Sequence, residues 1–393
     1  MLVQATKRGS MKILINAYNL RIGGGESVGI GIINALYILN TEHQYIILIN
    51  KNKGYEKFSS KGNIVIKHMP NFYTNYLLGN LLSVVYLIYI TIRINPQVIF
   101  SMGNYAIPVK KKQLLFLHWP YVVYPNSIAW KQQKGTYEYL KRKVRAWIIK
   151  KQLRFATAVT VQTPLMKKQF LTYFHHPTTI HVVESSVSEQ VSDTPASNAS
   201  LTNAIIELKA KNKGHHFLLC LSQYYTHKNL EILLPLAEEI KKQNAPFKIL
   251  LNLDPSQHRK VKELLSQIKS NTLDQILINL GPIPQASLYN VYQQADAFIL
   301  PTLLESFGII YREAMISGIP IFTSDLDFAH EACKEAAFYF DPLDHHSIYK
   351  TITEAFQNNL QLKEKIALGK EQTKQFLSWN EITQQYIEIL QKL

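Results

Sequence analysis

Short apolar runs alternating with longer segments of helical period constrain this 393-residue chain more than any other feature. Residues 12–17, 45–50, 63–67, 97–101, 113–117, 158–162 and 179–183 have strand-like composition, and helix-period stretches separate several of them. A second set occupies 217–221, 247–253, 275–280, 297–300, 319–323 and 337–340. Strands buried on both faces show as near-continuous aliphatic runs, and the interleaved helices supply the crossovers that a parallel sheet requires. Between the two sets, residues 188–201 turn abruptly to Ser, Thr, Asn, Asp and Pro. That is the composition of a connector. The expected fold is therefore α/β: a doubly wound domain over 11–187, a linker at 188–212 with a short helix to Lys211, and a second doubly wound domain over 213–378. A terminal helix follows at 379–393. In such sheets ligands bind outside the carboxyl ends of the strands. Residues 1–10, polar and basic, are expected to lie outside the fold as a tail.

Composition narrows the functional classes. Hydrophobic residues make up 47% of the chain, enough for two cores, and only Cys220 and Cys333 are present, both in apolar or helical contexts. A disulfide framework is excluded, and a reducing, cytoplasmic compartment is expected. The net charge of +15 lies entirely in the first half, while the second half is close to neutral. An anionic surface partner for the first half alone is the corresponding expectation.

The chemistry concentrates around Glu305 and Glu313, in the run Leu300–Pro301–Thr302–Leu303–Leu304–Glu305–Ser306–Phe307–Gly308–Ile309 and onward to Glu313. A strand, a loop with Pro301 and Gly308, and then a helical pattern follow one another. The amides of residues 306–309 are expected at the helix N-terminus, where unpartnered N–H groups and the dipole favour an anion such as a diphosphate. Carboxylates bind hydroxyl pairs because they only accept and can do so bidentately. Acids on either side of a phosphate cradle describe a nucleotide-sugar site.

Glu305–x7–Glu313, Gly318–Ile319–Pro320 and the stretch from Thr323–Ser324–Asp325 to Phe340–Asp341–Pro342 resemble the family 4 retaining glycosyltransferases of the GT-B fold. The resemblance covers nearly the whole chain from Met11, and is densest between Gln223 and Pro342. It implies two Rossmann-like domains facing across a cleft, with the terminal helix crossing back to the first. It also implies sugar transfer from a UDP- or GDP-sugar to a glycan or lipid-linked acceptor with retention, the nucleotide-sugar being a co-substrate and neither metal nor organic cofactor being needed. Surface polysaccharide or glycolipid synthesis is the implied setting. By the same resemblance Glu305 holds hydroxyls of the transferred sugar and Glu313 those of the ribose. Lys228, beside a helix start, is the phosphate cation. The family's usual Arg five positions earlier is Gln223 here, so one expected cation is missing. Gly281 and Ile283 fall on the turn that passes the nucleotide base, although a plain structural turn is an equal reading.

In the first half, Ile22–Gly23–Gly24–Gly25–Glu26–Ser27 follows the first strand and precedes a long helix. It does not match the dinucleotide fingerprint. The resemblance has Gly24 and Gly25 close over the diphosphate; a flexible turn is the bland reading. It also places His118, at the end of a strand, against the sugar near the reacting carbon. Asn104 and Tyr105, after the preceding strand, are expected to line the acceptor pocket. Retention without a convincing nucleophile suggests front-face attack, with charge on the leaving diphosphate stabilised by Lys228 and the loop amides. Glu305 as a covalent nucleophile is the open alternative. A silent domain that merely binds a nucleotide or polyanion is the other, and Gln223 supports it. Asp325–Leu326–Asp327 has the form of a metal-binding Asp-x-Asp, yet its surroundings assign it to a loop and helix cap. The pairs His175–His176, His215–His216 and His345–His346 lack metal-ligand spacing and are expected to be surface or loop residues.

Two segments bear on membranes. Residues 77–92 are uncharged but too short to span, and a buried helix is expected there. Residues 136–155 carry Lys141, Arg142, Lys143, Arg145, Lys150, Lys151 and Arg154 beside Tyr137, Leu140, Val144, Trp147 and Ile148. Such a helix suits an anionic membrane face, equally a helix packed by its apolar stripe. Nucleic acid is disfavoured, because the aromatics do not lie on the basic side. A peripheral place on the inner face of the cell membrane follows from the first reading.

Overall fold

The computed structural model describes residues 9–20, 23–39, 41–50, 54–70, 76–174, 178–187 and 199–393. Residues 1–8 of the expected tail, 188–198 of the expected linker and the pair His175–His176 lie outside them. The chain divides into two compact units: one runs to Asn126 and takes in Gln133–Ser186 and Leu377–Leu393, the other comprises Ser127–Gln132 and Val187–Phe376.

The first unit is built on seven parallel strands, β1 (Lys12–Asn16), β2 (Gln44–Ile49), β3 (Ile64–His68), β4 (Val98–Ser101), β5 (Lys112–Phe116), β6 (Ala158–Val161) and β7 (Thr179–Val182), in the order β3-β2-β1-β4-β5-β6-β7. The second has six, β8 (His216–Cys220), β9 (Phe247–Leu251), β10 (Leu277–Asn279), β11 (Ala297–Leu300), β12 (Ile321–Ser324) and β13 (Ala337–Phe340), in the order β10-β9-β8-β11-β12-β13. Every strand anticipated from the sequence is present, because a strand covered on both faces announces itself by an unbroken apolar run. Both orders reverse beside the first strand of the unit, which is the doubly wound, Rossmann-like arrangement.

Side-chain alternation divides the first unit's core in two. Ile13, Ile15, Phe100 and Phe116 point to one face, covered by the helices Gly24–Leu39 and Trp379–Lys392. Leu14, Ile46, Leu48 and Ile99 point to the other, with Leu87 of the Tyr76–Ile94 helix. The terminal helix thus returns to the first unit. It starts in a capping box of Ser378 and Glu381 and buries Trp379, Ile382, Tyr386, Ile387 and Leu390, one stripe at helical spacing. The Tyr386 and Phe100 rings lie 4.7 Å apart, tilted by 34°.

Two expectations change, and one open alternative is decided. The segment Ala199–Lys211 is a helix of the second unit, its Ile205 fully buried against Phe217 and Leu219, so it belongs to a core and not to a linker. The Tyr76–Ile94 helix is buried on one face only; Leu81, Leu82, Val85, Tyr89 and Ile92 are exposed, with Ile92 67% accessible. At 100° per residue these five fall within an arc of about 100°. The Tyr137–Gln152 helix buries Ile149 alone and leaves Tyr137, Leu140, Val144 and Trp147 half or more exposed. No helix among the described residues is long and apolar enough to cross a membrane.

Candidate functional site

In the second unit the site grows from two loops at the carboxyl ends of β8 and β11. The backbone carbonyl of His227 accepts from Leu303 N–H at 2.7 Å and from the Thr302 hydroxyl at 3.1 Å. Ser324, at the end of β12, donates to the Thr302 carbonyl at 2.6 Å. Asn229, in left-handed conformation at φ 56°, donates its amide to the Pro342 carbonyl at 2.7 Å. With both loops tied at the backbone, Lys228 Nζ meets Glu305 Oε1 at 2.5 Å, each side chain only 14% exposed. The phosphate-cation candidate and the sugar-binding candidate are thus one ion pair, across 77 positions of sequence.

The helix after the loop begins three residues later than the amide reading required. It spans Ile309–Ser317 with Gly308 as its cap at φ 70°, so residues 306–308 precede the helix and only Ile309 of the expected four amides lies within it. The Tyr311 N–H is already turned back to the Gly308 carbonyl. Glycine is needed at 308 twice over: its backbone is left-handed, and a Cβ there would stand 2.5 Å from the Tyr311 ring. Ser306 is half-buried and Phe307 buried. Arg312, which the sequence reading passed over, stacks its guanidinium 4.3 Å from the Phe307 ring and 4.1 Å from that of Phe376. Cation–aromatic stacking of this kind fixes the loop and has no local sequence signature.

Glu313 lies one turn into the helix and is partly covered, but its carboxyl group is drawn in far enough that burial pushes its pKa up to about 7. The Tyr292 hydroxyl, donating to Oε2 at 3.2 Å, pulls weakly the other way. Because the folded value exceeds the usual carboxylate range, the folded chain holds a proton between about pH 4.5 and 7 that the unfolded chain releases. Stability should therefore fall as pH rises through that window, by at most roughly 3 kcal/mol, and level off above it. Urea titrations of the native chain and Glu313→Gln from pH 5 to 8 test this: the variant should lose the slope, and equal slopes in both would refute it.

Of the other second-unit residues, Gln223 is exposed and accepts from the Tyr225 hydroxyl at 3.3 Å. Gly281 adopts φ 75°, its N–H donating to Asn279 Oδ1 at 3.3 Å, while Ile283 packs half-buried against the core. Asp325 is paired with His330 at 2.6 Å, and the helix Asp327–Cys333 starts from Leu326 without a side-chain cap, so the triplet provides no cap of the kind expected.

In the first unit, Asn104, His118 and Gly25 gather at the carboxyl ends of β1, β4 and β5. Asn104, at φ 67°, accepts on Oδ1 from the N–H groups of His118 and Trp119, both at 2.8 Å. That orients the amide so its Nδ2 donates to His118 Nε2 at 2.7 Å. Nε2 is then an acceptor and the ring proton sits on Nδ1. Burial, with the Arg145 charge second, lowers the imidazole pKa to about 3. His118 is a neutral ring with its proton on Nδ1. A Cβ on Gly25 would come within 3.6 Å of its Cε1, whereas Gly24 is exposed and uncrowded. Tyr105 is half-buried and lies 5.8 Å from Arg145, whose guanidinium stacks 4.4 Å from the Trp119 ring. Arg142 donates to the Tyr121 hydroxyl at 2.6 Å. These two arginines bind the basic helix to the loop behind His118, a role that charge counting did not reveal.

Residues 202–374 match the family described as Glycosyl transferases group 1. The chain is 33% identical over 108 residues to O-antigen chain mannosyltransferase B of Escherichia coli, a match spanning 28% of each chain. Sucrose-phosphate synthase from Thermosynechococcus elongatus has the same fold, with a TM-score of 0.78 at 15% identity over 97% of this chain and 98% of that one. So does Anabaena Alr3699/HepE, solved in complex with UDP and glucose, with a TM-score of 0.72 at 18% identity over 98% of this chain and the whole of that one.

Proposed function

We propose that the protein, whose residues 202–374 match the group 1 glycosyl transferases, moves a sugar from a nucleotide diphosphate donor to a glycan or lipid-linked acceptor, with retention of configuration. The observation that carries this reading is the Lys228–Glu305 pair beside the Gly308-capped helix. Lys228 and the loop amides face the diphosphate and stabilise the charge it gains as it leaves. Glu305, already sharing its charge with Lys228, accepts from sugar hydroxyls in preference to attacking carbon. Front-face transfer follows, the departing oxygen taking the acceptor's proton. Glu313, once ionised, accepts from the ribose hydroxyls. His118 offers its Nδ1–H to the sugar, and Asn104 sets the ring that does so. Lys228 supplies the positive charge that a metal ion would otherwise bring to the diphosphate. The E. coli relative's name favours mannose as the sugar.

A thermal-shift screen of GDP-mannose and UDP-glucose tests the donor reading. A bound donor at about one hundred times its dissociation constant should stabilise the chain by about 2.7 kcal/mol and be hydrolysed slowly. No shift and no hydrolysis with any nucleotide-sugar would overturn it.

The surface of the first unit supports a lipid-linked acceptor. Tyr137, Leu140, Val144 and Trp147 form an exposed stripe within about 80° of arc, flanked on either side by Lys141 and Lys143, with Lys151 beyond its end. Right-handed crossovers from β3 to β4 and from β5 to β6 put the Tyr76–Ile94 and Tyr137–Gln152 helices on the same sheet face. Two apolar stripes and a row of lysines on one face match an anionic bilayer. The full chain should float with vesicles containing phosphatidylglycerol at low salt, and Val144→Asp/Trp147→Asp should stay in the pellet fraction. Equal flotation of that variant would refute the assignment.

A further inference from the structure

The sequence pairs His345 with His346 and gives them no third ligand at metal-binding spacing; the fold supplies one. Glu239, on the helix Leu233–Lys242, brings a carboxylate oxygen to the two imidazoles, and the three ligand atoms all lie within 4.8 Å of one another. Neighbouring residues in a helix diverge by about 100°. His345 and His346 nevertheless hold their rings with centroids 4.0 Å apart, at the first two positions of the helix His345–Gln357. Asp344 sets that first turn by accepting the His346 N–H at 2.9 Å.

We propose that Glu239, His345 and His346 form a binding site for a divalent transition-metal ion of the zinc type, separate from the donor site. Two imidazole nitrogens and one carboxylate make a borderline donor set, suited to Zn²⁺, Co²⁺ or Ni²⁺ and ill suited to Mg²⁺ or Ca²⁺, which take oxygen ligands. At metal–ligand distances of about 2.0–2.2 Å, tetrahedral ligands stand about 3.3–3.5 Å apart. The site must therefore close by a little over an ångström at most, which rotation of these accessible side chains provides. The backbones beneath are fixed: Leu233, Leu236, Ala237 and Ile240 from one helix and Ile348 and Ile352 from the other share a single core. The Gln243 amide donates to Glu239 Oε1 at 2.8 Å, an outer contact that orients the carboxylate. Lys242 is the nearby cation and reduces the affinity without occupying a ligand position. A fourth position is left to water. The ion would join two segments about a hundred residues apart, directly after the Asp341–Asp344 turn whose Pro342 carbonyl holds Asn229 next to Lys228. Its effect is to stiffen this side of the unit, with no step in sugar transfer.

Equilibrium dialysis of the metal-free full chain against ZnCl₂, with bound metal counted by elemental analysis, tests the site. One zinc per chain at low-micromolar concentration is expected, with MgCl₂ unable to compete. The variant His345→Ala/His346→Ala, which keeps one of the three ligands, should lose stoichiometric binding, Glu239→Gln should bind zinc more weakly, and both should lose the zinc-induced rise in melting temperature. Loaded with CoCl₂, the native chain should show the visible absorption of a four-coordinate centre, and the double variant should not. Absence of stoichiometric zinc, or zinc held equally well by the double variant, would overturn the proposal. All these surface variants should keep native circular dichroism, so weakened binding is not a folding defect.

Discussion

Exchanging Lys228 for methionine is expected to slow transfer about 100- to 1,000-fold while leaving a folded protein that still binds nucleoside diphosphate weakly. On the proposed mechanism the cation that faces charge developing on the leaving diphosphate is gone, and that charge is larger in the transition state than in the bound donor. The rate constant should fall more than the donor's apparent affinity. The same change strands Glu305, which is 14% exposed and loses its 2.5 Å partner, so stability should drop by about 2 kcal/mol. Lys228→Met/Glu305→Gln separates the two effects. Removing the orphaned charge should restore most of the stability and none of the rate. Stability and rate recovering together in the double variant would show that Lys228 acts only by holding the loop.

The terminal helix provides the second large effect. Gly31 sits where the Gly24–Leu39 helix meets the Trp379 indole so closely that a Cβ would stand 2.3 Å from Cε2. Trp379 is 7% exposed and anchors the start of the returning helix. Trp379→Ala should cost about 3–5 kcal/mol through lost burial and the cavity left behind. Gly31→Ala alone should cost about 1–3 kcal/mol through overpacking. Combined, the small side chain at 31 enters the space vacated at 379, so the double variant should be less destabilised than the two costs together. Denaturant titration of the four proteins closes the cycle, and strict additivity would mean that the two positions do not share this contact.

The strands and the paired acids were legible because their signals are local. β11, the loop through Glu305 and the helix with Glu313 form one continuous stretch, and a strand buried on both faces needs no partner to show its apolar run. The start of that helix was misplaced by its cap. Gly308 in left-handed conformation holds the chain out of the helix until Ile309, and nothing but the backbone geometry distinguishes this from a helix begun three residues sooner. The first unit was harder to judge. Asn104 passed as a pocket residue, yet its contacts with His118 and Trp119 decide which ring nitrogen carries the proton.

The amino-acid sequence on its own determined two parallel-sheet units and the strand–loop–helix stretch that carries Glu305 and Glu313, since periodicity and turn chemistry act within a few residues. The tertiary structure alone decided that Lys228 pairs with Glu305, that Glu239 joins two histidines, and that the apolar stripes at 81–92 and 137–147 face outward. Each of these depends on which segments become neighbours. Neighbours far apart in the chain are selected by how whole faces pack, and no single residue's character contains that information.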